Sequence, residues 1–252
     1  MNERQEKIKT LINETGEARL SELEAMFPDF SSMTIRRDLE KLETLGEIVR
    51  TRSGAKSIAH LSRLNEALYS ERARINISEK ACIAAKAHKL IPQGSTIFLD
   101  TGTTLTALVN LLKTDKLFVI TAAPTIALEC VKNPNISVFM VGGKLSSGNL
   151  STSGINAVSF LDKINIDIAV MATSGVTMQN GFTCGNYDES RLKRRAIEKA
   201  SKVIMLMDHS KHGKSLPFTF AALSDIDVLV TDKKISQKFL SELQNYEIEI
   251  IV

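Results

Sequence analysis

From Ser78 to the C-terminus, seven short apolar runs recur: STIFL, KLFVIT, ISVFMV, DIAVMAT, KVIMLM, IDVLVT and YEIEIIV. Between them fall KACIAAKAHKLI, TLTALVNLLK, PTIALECVK and ESRLKRRAIEKA, whose apolar residues recur at helical spacing. A strand with one wet face alternates apolar and polar residues, whereas a near-continuous apolar run fits a strand covered on both sides. Strand-length runs alternating with helices therefore predict an α/β domain over residues 78–252, with a mostly parallel sheet between two helical layers. Such sheets collect ligands at the C-terminal ends of their strands.

Residues 1–57 have a different texture. Ile8, Leu11 and Ile12 recur at i, i+3 and i+4, and Leu20, Leu23 and Phe27 do so again after Gly16. A third helix starts near Ser32 and carries Ile35, Leu39, Leu42 and Leu45 on one stripe, with Arg36, Arg37, Glu40 and Lys41 opposite and Gly46 as its stop. EIVRTRSGAKSIA then alternates like a strand pair turned at Ser53-Gly54. Three helices and a hairpin read as a winged helix-turn-helix. Residues 58–77, polar with scattered leucines, read as the linker between the two domains.

Composition matters here for what it excludes. No apolar run approaches the ~20 residues of a membrane span, and MNERQEKIKT lacks a signal-peptide core, so a cytoplasmic protein with no membrane role is expected. Cys82, Cys130 and Cys184 are widely spaced and form no C-x-x-C pair, which suggests neither a disulfide framework nor a metal site, and no cofactor motif is present. A net charge of +3 does not argue for nucleic acid by itself, since residues 1–60 hold ten Lys/Arg against eleven Asp/Glu. The local pattern is more telling: Arg50, Arg52 and Lys56 lie in a stretch with no acid, a basic spot suited to phosphate.

If the third helix enters a major groove, Ser32, Thr34, Arg36 and Arg37 are nearest the bases. Neighbouring side chains diverge by about 100° on a helix, so the two arginines divide between base and backbone. In the second domain LDTGTT places Asp100, Gly102, Thr103 and Thr104 between a strand end and a helix start, where backbone N–H groups suit an anion; an ordinary helix cap is the other reading. Gly142, Gly143 and Lys144 follow another strand, and Asp208 and Lys211 a third. Glu189 and Lys193 share a helical face at i, i+4, either as a solvated salt bridge or as ligands for sugar hydroxyl and phosphate. Asp208, His209 and Ser210 are adjacent and so cannot form a nucleophile–base–orienter line, and His209 and His212 lack further metal ligands.

SSMTIRRDLEKLETLGEIVRTRSGA closely resembles the helix-turn-helix signature of the DeoR family of bacterial sugar-metabolism regulators. The order LDTGTT, VGGK, NGFTCGNYDE, MDHSKHGK and DVLVTD is similar to that family's effector domain, whose fold resembles pentose-phosphate isomerase. The resemblance implies a repressor of a carbohydrate operon that leaves a double-stranded operator when a phosphorylated sugar binds. It implies DNA contact at Thr34, Arg36 and Arg37, supported by Arg50 and the wing, and effector contact at Asp100, Gly102, Thr103, Thr104, Gly142, Gly143, Glu189, Lys193, Asp208 and Lys211. FPDFSSMT is one residue longer than the usual turn. One winged helix offers little contact area, so a homodimer or higher homo-oligomer is expected. The alternatives left open are a sugar-phosphate isomerase or deaminase with an accessory domain, and activation in place of repression.

Overall fold

The computed structural model describes residues 3–44, 48–51, 54–57 and 69–252. They fall into two compact units, residues 1–65 and 66–252.

In the first unit, helices α1 (Glu3–Thr15), α2 (Leu20–Met26) and α3 (Ser32–Thr44) combine with strands β1 (Glu17–Arg19), β2 (Ile48–Thr51) and β3 (Gly54–Ser57). The stripes read from sequence meet in one core, where Ile8, Ile12, Leu23, Ile35, Leu39, Leu42 and Ile48 are buried. Strand β1 is not legible in the sequence: it is three residues long and buries only Ala18. It pairs with β3, making an antiparallel sheet in the order β1-β3-β2. Gly54, expected in the turn, is the first residue of β3, paired with Thr51 and Arg19. A Cβ there would sit 2.1 Å from the Ala18 carbonyl oxygen, so the glycine is required by the approach of β1. Gly46, Arg52 and Ser53 lie outside the described residues.

The second unit is built on strands β4 (Thr96–Leu99), β5 (Leu117–Thr121), β6 (Ile136–Met140), β9 (Ile166–Ala172), β12 (Ala200–Leu206), β14 (Val228–Val230) and β15 (Glu249–Ile251). They form a seven-stranded sheet in the order β15-β14-β12-β9-β4-β5-β6, parallel at every pairing. These are the seven apolar runs of the sequence. The remaining strands, β7 (Lys144–Ser146), β8 (Ser151–Ser153), β10 (Gly175–Thr177), β11 (Gly181–Cys184) and β13 (Phe218–Ala221), make a hairpin, β7-β8, and a small sheet, β10-β11-β13. They are three or four residues long, too short for their apolar residues to stand out as a run.

The helices are α4 (Tyr69–Arg72), α5 (Ile77–His88), α6 (Thr103–Val109), α7 (Pro124–Cys130), α8 (Ile155–Leu161), α9 (Tyr187–Lys199) and α10 (Gln237–Leu243). Successive strand residues point to opposite faces. Ile97 and Leu99 accordingly pack with Ile83, Leu105, Leu108 and Ile126 of α5, α6 and α7, while Phe98 packs with the layer of Leu161, Leu192, Ala196 and Phe239 from α8, α9 and α10. The connecting segment does not run on to residue 77 as its composition suggested. From Tyr69 the chain is tied into the second unit, with the Tyr69 hydroxyl 2.7 Å from Thr106 Oγ1 and the Arg72 guanidinium donating to Asn149 Oδ1 at 3.0 Å. The polar side chains that made this stretch look solvated are the ones that hold it.

Gly54→Val should lower the stability of the first unit by about 1–3 kcal/mol, because a β-branched side chain must displace the Ala18 backbone. Calorimetry of the full chain reads this as a downward shift of one transition with the larger unit unmoved. An unshifted profile would mean that β1 does not approach β3 so closely.

Candidate functional site

Helix α3 turns Ile35, Asp38, Leu39 and Leu42 inward and leaves Ser32, Met33, Arg36, Arg37, Glu40 and Lys41 exposed. Its start is capped by Ser31, whose Oγ accepts from the Thr34 N–H at 3.3 Å and lies 2.9 Å from the Thr34 hydroxyl. Asp38 is buried and serves the fold: it accepts from Arg4 Nε at 2.5 Å and Gln5 Nε2 at 2.7 Å, tying α3 to α1. Arg36 and Arg37 have no ion-pair partner among the described residues.

Arg50 differs from them. Its guanidinium lies 3.3 Å from Glu40 and 3.9 Å from Glu43, and its backbone N–H donates to Glu43 at 2.9 Å. These contacts link the wing's first strand to α3 and leave the Arg50 side chain 38% exposed. Lys56 lies in β3 opposite Glu17 and Val49, and Arg52 is outside the described residues. Met33 was not singled out from sequence. It is 61% exposed and stands three and four residues before the two arginines, so all three share the leading face of α3.

In the second unit the expected residues lie at the C-terminal ends of the parallel strands. Asp100 follows β4 and Lys193 projects from α9, and both are buried. Lys193 Nζ donates to Asp100 Oδ2, and to the Ala172 carbonyl at the end of β9 at 3.0 Å, and lies 3.4 Å from Glu189 Oε1. Asp100 Oδ2 also accepts from the Ala172 N–H at 2.9 Å. Burial alone would drive the Lys193 pKa down, but the Asp100 and Glu189 carboxylates outweigh it and hold the ammonium above the ordinary lysine value. Lys193 thus makes two hydrogen bonds and a longer ion pair, which place it to fix Asp100 and Glu189.

The network continues through residues that were not picked out. Asn149 Nδ2 donates to Glu189 Oε2 at 2.5 Å, and Arg72 in turn donates to Asn149. Asn149 lies in the loop after VGGK, and Arg72 in the stretch read as linker, so only the fold brings them together. Gly142, Gly143 and Lys144 are exposed at the base of the β7-β8 hairpin. At Gly143 a Cβ would meet the Ser153 carbonyl oxygen at 2.4 Å, which gives that glycine a structural reason.

The turn between β4 and α6 has a further property. Thr101, Gly102 and Thr104 are buried, Thr103 partly so, and the backbone N–H groups of Gly102, Thr103 and Thr104 have no protein acceptor among the described residues. At the end of β12, Asp208 is buried and accepts from the Ser210 N–H at 3.0 Å and from Asn76 Nδ2 at 2.8 Å. Burial pushes its carboxyl up, but the Ser210 hydrogen bond, the nearby Lys211 ammonium and the Asn76 amide bring it below the usual aspartate value. Among the described residues no group of three or more His, Cys, Asp or Glu is placed to hold a metal ion.

Residues 4–60 match the model of the DeoR-like helix-turn-helix domain, and residues 75–233 that of the DeoR C terminal sensor domain. The chain belongs to the DeoR family. This DeoR-family chain is 33% identical over 244 residues to the HTH-type transcriptional regulator GolR of Listeria innocua, covering 96% of this chain and 95% of that one. It is 32% identical over 219 residues to the HTH-type transcriptional repressor GlcR of Bacillus subtilis, covering 87% and 84%. Among solved structures, ribose 5-phosphate isomerase A of Methanocaldococcus jannaschii is similar with a TM-score of 0.41 and 19% identity, over 54% of this chain and 55% of that one. The relatives that span nearly the whole chain are named regulators or repressors. The DeoR-family chain is therefore a DNA-binding transcriptional regulator, and the isomerase-or-deaminase alternative is set aside. Among the described residues no helix is long and apolar enough to cross a membrane.

Lys193→Met should destabilise the second unit of this regulator by about 3–5 kcal/mol, because it leaves Asp100 and Glu189 buried without their counter-charge. Adding Asp100→Asn to Lys193→Met should recover part of that loss. Urea unfolding of the two variants tests the pair, and a double variant no more stable than the single one would show that Asp100 is not what Lys193 neutralises.

Proposed function

We propose that this regulator represses a carbohydrate-catabolic operon and that a phosphorylated sugar, held at the C-terminal strand ends of the second unit, releases it from its operator. The observation that carries the reading is the set of N–H groups of Gly102, Thr103 and Thr104 without a protein acceptor among the described residues. The first N–H groups of a helix have no acceptor within it, and three of them in a turn of mostly buried residues suit a phosphate. Beside them Asp100 is held through Oδ2, while Oδ1 has no partner among the described residues and suits a sugar hydroxyl. Lys211 and Asp208, two strands away along the same sheet edge, supply a cation and a second hydroxyl acceptor.

On the DNA side Met33, Arg36 and Arg37 form the reading surface, with one arginine on a base edge and the other on a phosphate. Paired half-sites read by two copies supply the contact that one module lacks. Arg36→Ala and Arg37→Ala should each weaken operator binding by about 1–3 kcal/mol, one with relaxed sequence preference and the other uniformly on all DNA. Gel shifts on an operator recovered by in vitro selection, and on scrambled DNA, decide this. Wild-type affinity in both variants would take α3 out of the interface.

The effector reading is tested by titrating the operator complex with ribose 5-phosphate, glucose 6-phosphate and fructose 6-phosphate, with the unphosphorylated sugars as controls. At least one phosphate ester should lower operator affinity by about 5-fold or more, and Lys211→Ala should require a higher concentration for the same release. Release by none of the three, or equal release by free sugars, would overturn the proposed effector class.

A further inference from the structure

Asn76 has a left-handed backbone, φ 53° and ψ 42°, at the residue that starts α5. Asparagine at a helix start ordinarily turns its side chain onto the helix's own N–H groups, and Asn76 does not. Its amide reaches across to Asp208 Oδ1 at 2.8 Å, a contact between residues 132 positions apart. A sparsely populated backbone conformation and a forgone cap thus coincide with one long-range bond.

The bend that Asn76 closes is fastened from the other side as well. Lys80, one turn into α5 and buried, donates from Nζ to the Ile75 carbonyl at 2.5 Å and to the Arg72 carbonyl. Burial lowers the Lys80 pKa, with the Asp208 carboxylate opposing that shift and the Lys211 ammonium adding to it. Arg72 continues to Asn149 and Glu189, and Tyr69 to Thr106. Residues 69–80 are the stretch by which the chain enters the second unit after the connection from the first. The contacts of Tyr69, Arg72 and Asn76 lead to or beside residues of the candidate effector site, while Glu79 pairs with Lys234 at 2.6 Å.

We propose that Asn76 is a positioning residue, and that its bond to Asp208 belongs to the operator-binding arrangement and is broken when a ligand hydroxyl takes up Asp208. The proposal rests on Asp208 being part of the effector site. Loss of the bond frees the left-handed bend, and the entering segment shifts the equilibrium away from the arrangement that binds DNA.

The test uses the full chain and the selected operator with no sugar added, so its outcome is independent of which effector binds. Glycine reaches the left-handed region without strain, so Asn76→Gly removes only the amide. Asn76→Gly and Asp208→Ala should each weaken operator binding by about 5-fold or more, and the double variant should be no weaker than either single one. Asn76→Asp, which sets a carboxylate against Asp208, should weaken it at least as much. Amide exchange should show residues 69–80 of Asn76→Gly losing protection while β4 keeps its own. Wild-type operator affinity in Asn76→Gly overturns the proposal, as does a double variant equal to the product of the singles. Loss of protection at β4 as well would make Asn76 a folding residue and also overturns it. The sugar-phosphate titration can fail without affecting this result, and the reverse also holds.

Discussion

The buried ammonium of Lys193 is the charge on which the strand-end rim of the second unit depends. It brings a helix and two strand ends to one point, since its partners are Asp100 after β4, the Ala172 carbonyl of β9, and Glu189 one turn earlier on α9. A lone charge in such a place would lose its proton or draw in water. Two carboxylates and a carbonyl keep it charged and fixed, and the same bonds fix the carboxylates. Acceptors held this rigidly at the mouth of a parallel sheet lose little freedom when a donor group reaches them.

The sheet supplies the second condition. With every strand of the main sheet running the same way, the turns after β4, β5, β6, β9, β12 and β14 emerge on one side. Distant pieces of chain therefore share a rim. Thr152 of the hairpin donates its N–H to Ala122 at 2.8 Å, which seats β8 on the turn after β5. The pair Ala122-Ala123, small and buried, leaves room for that contact.

The DNA-binding unit separates two kinds of basic side chain that look equivalent in a sequence. Arg36 and Arg37 stand clear of carboxylates, whereas Arg50 is engaged by Glu40 and Glu43. Surface ion pairs of this kind contribute little to stability, typically about 0–1 kcal/mol, but they set where the wing's first strand lies against α3. Asp38 makes the complementary point, since an acid inside a basic motif is turned inward to anchor α1.

Both fold classes, the seven main strands and the third helix were legible in the order of residues alone, because apolar periodicity is a local property that burial enforces wherever the chain goes. The sequence also held the motif residues Asp100, Gly102 and Asp208, which sit at strand ends and so are fixed once the strands are known. Strand β1, its close approach to Gly54, and the links from Arg72 to Asn149 and from Asn76 to Asp208 became visible only in the folded chain. Each depends on backbone or polar groups meeting across tens of residues, and a hydrogen bond leaves no periodic trace in the chain that makes it. The same reason left the surroundings of Lys193 out of view: spacing placed it beside Glu189, but only packing set Asp100 and the Ala172 carbonyl against it.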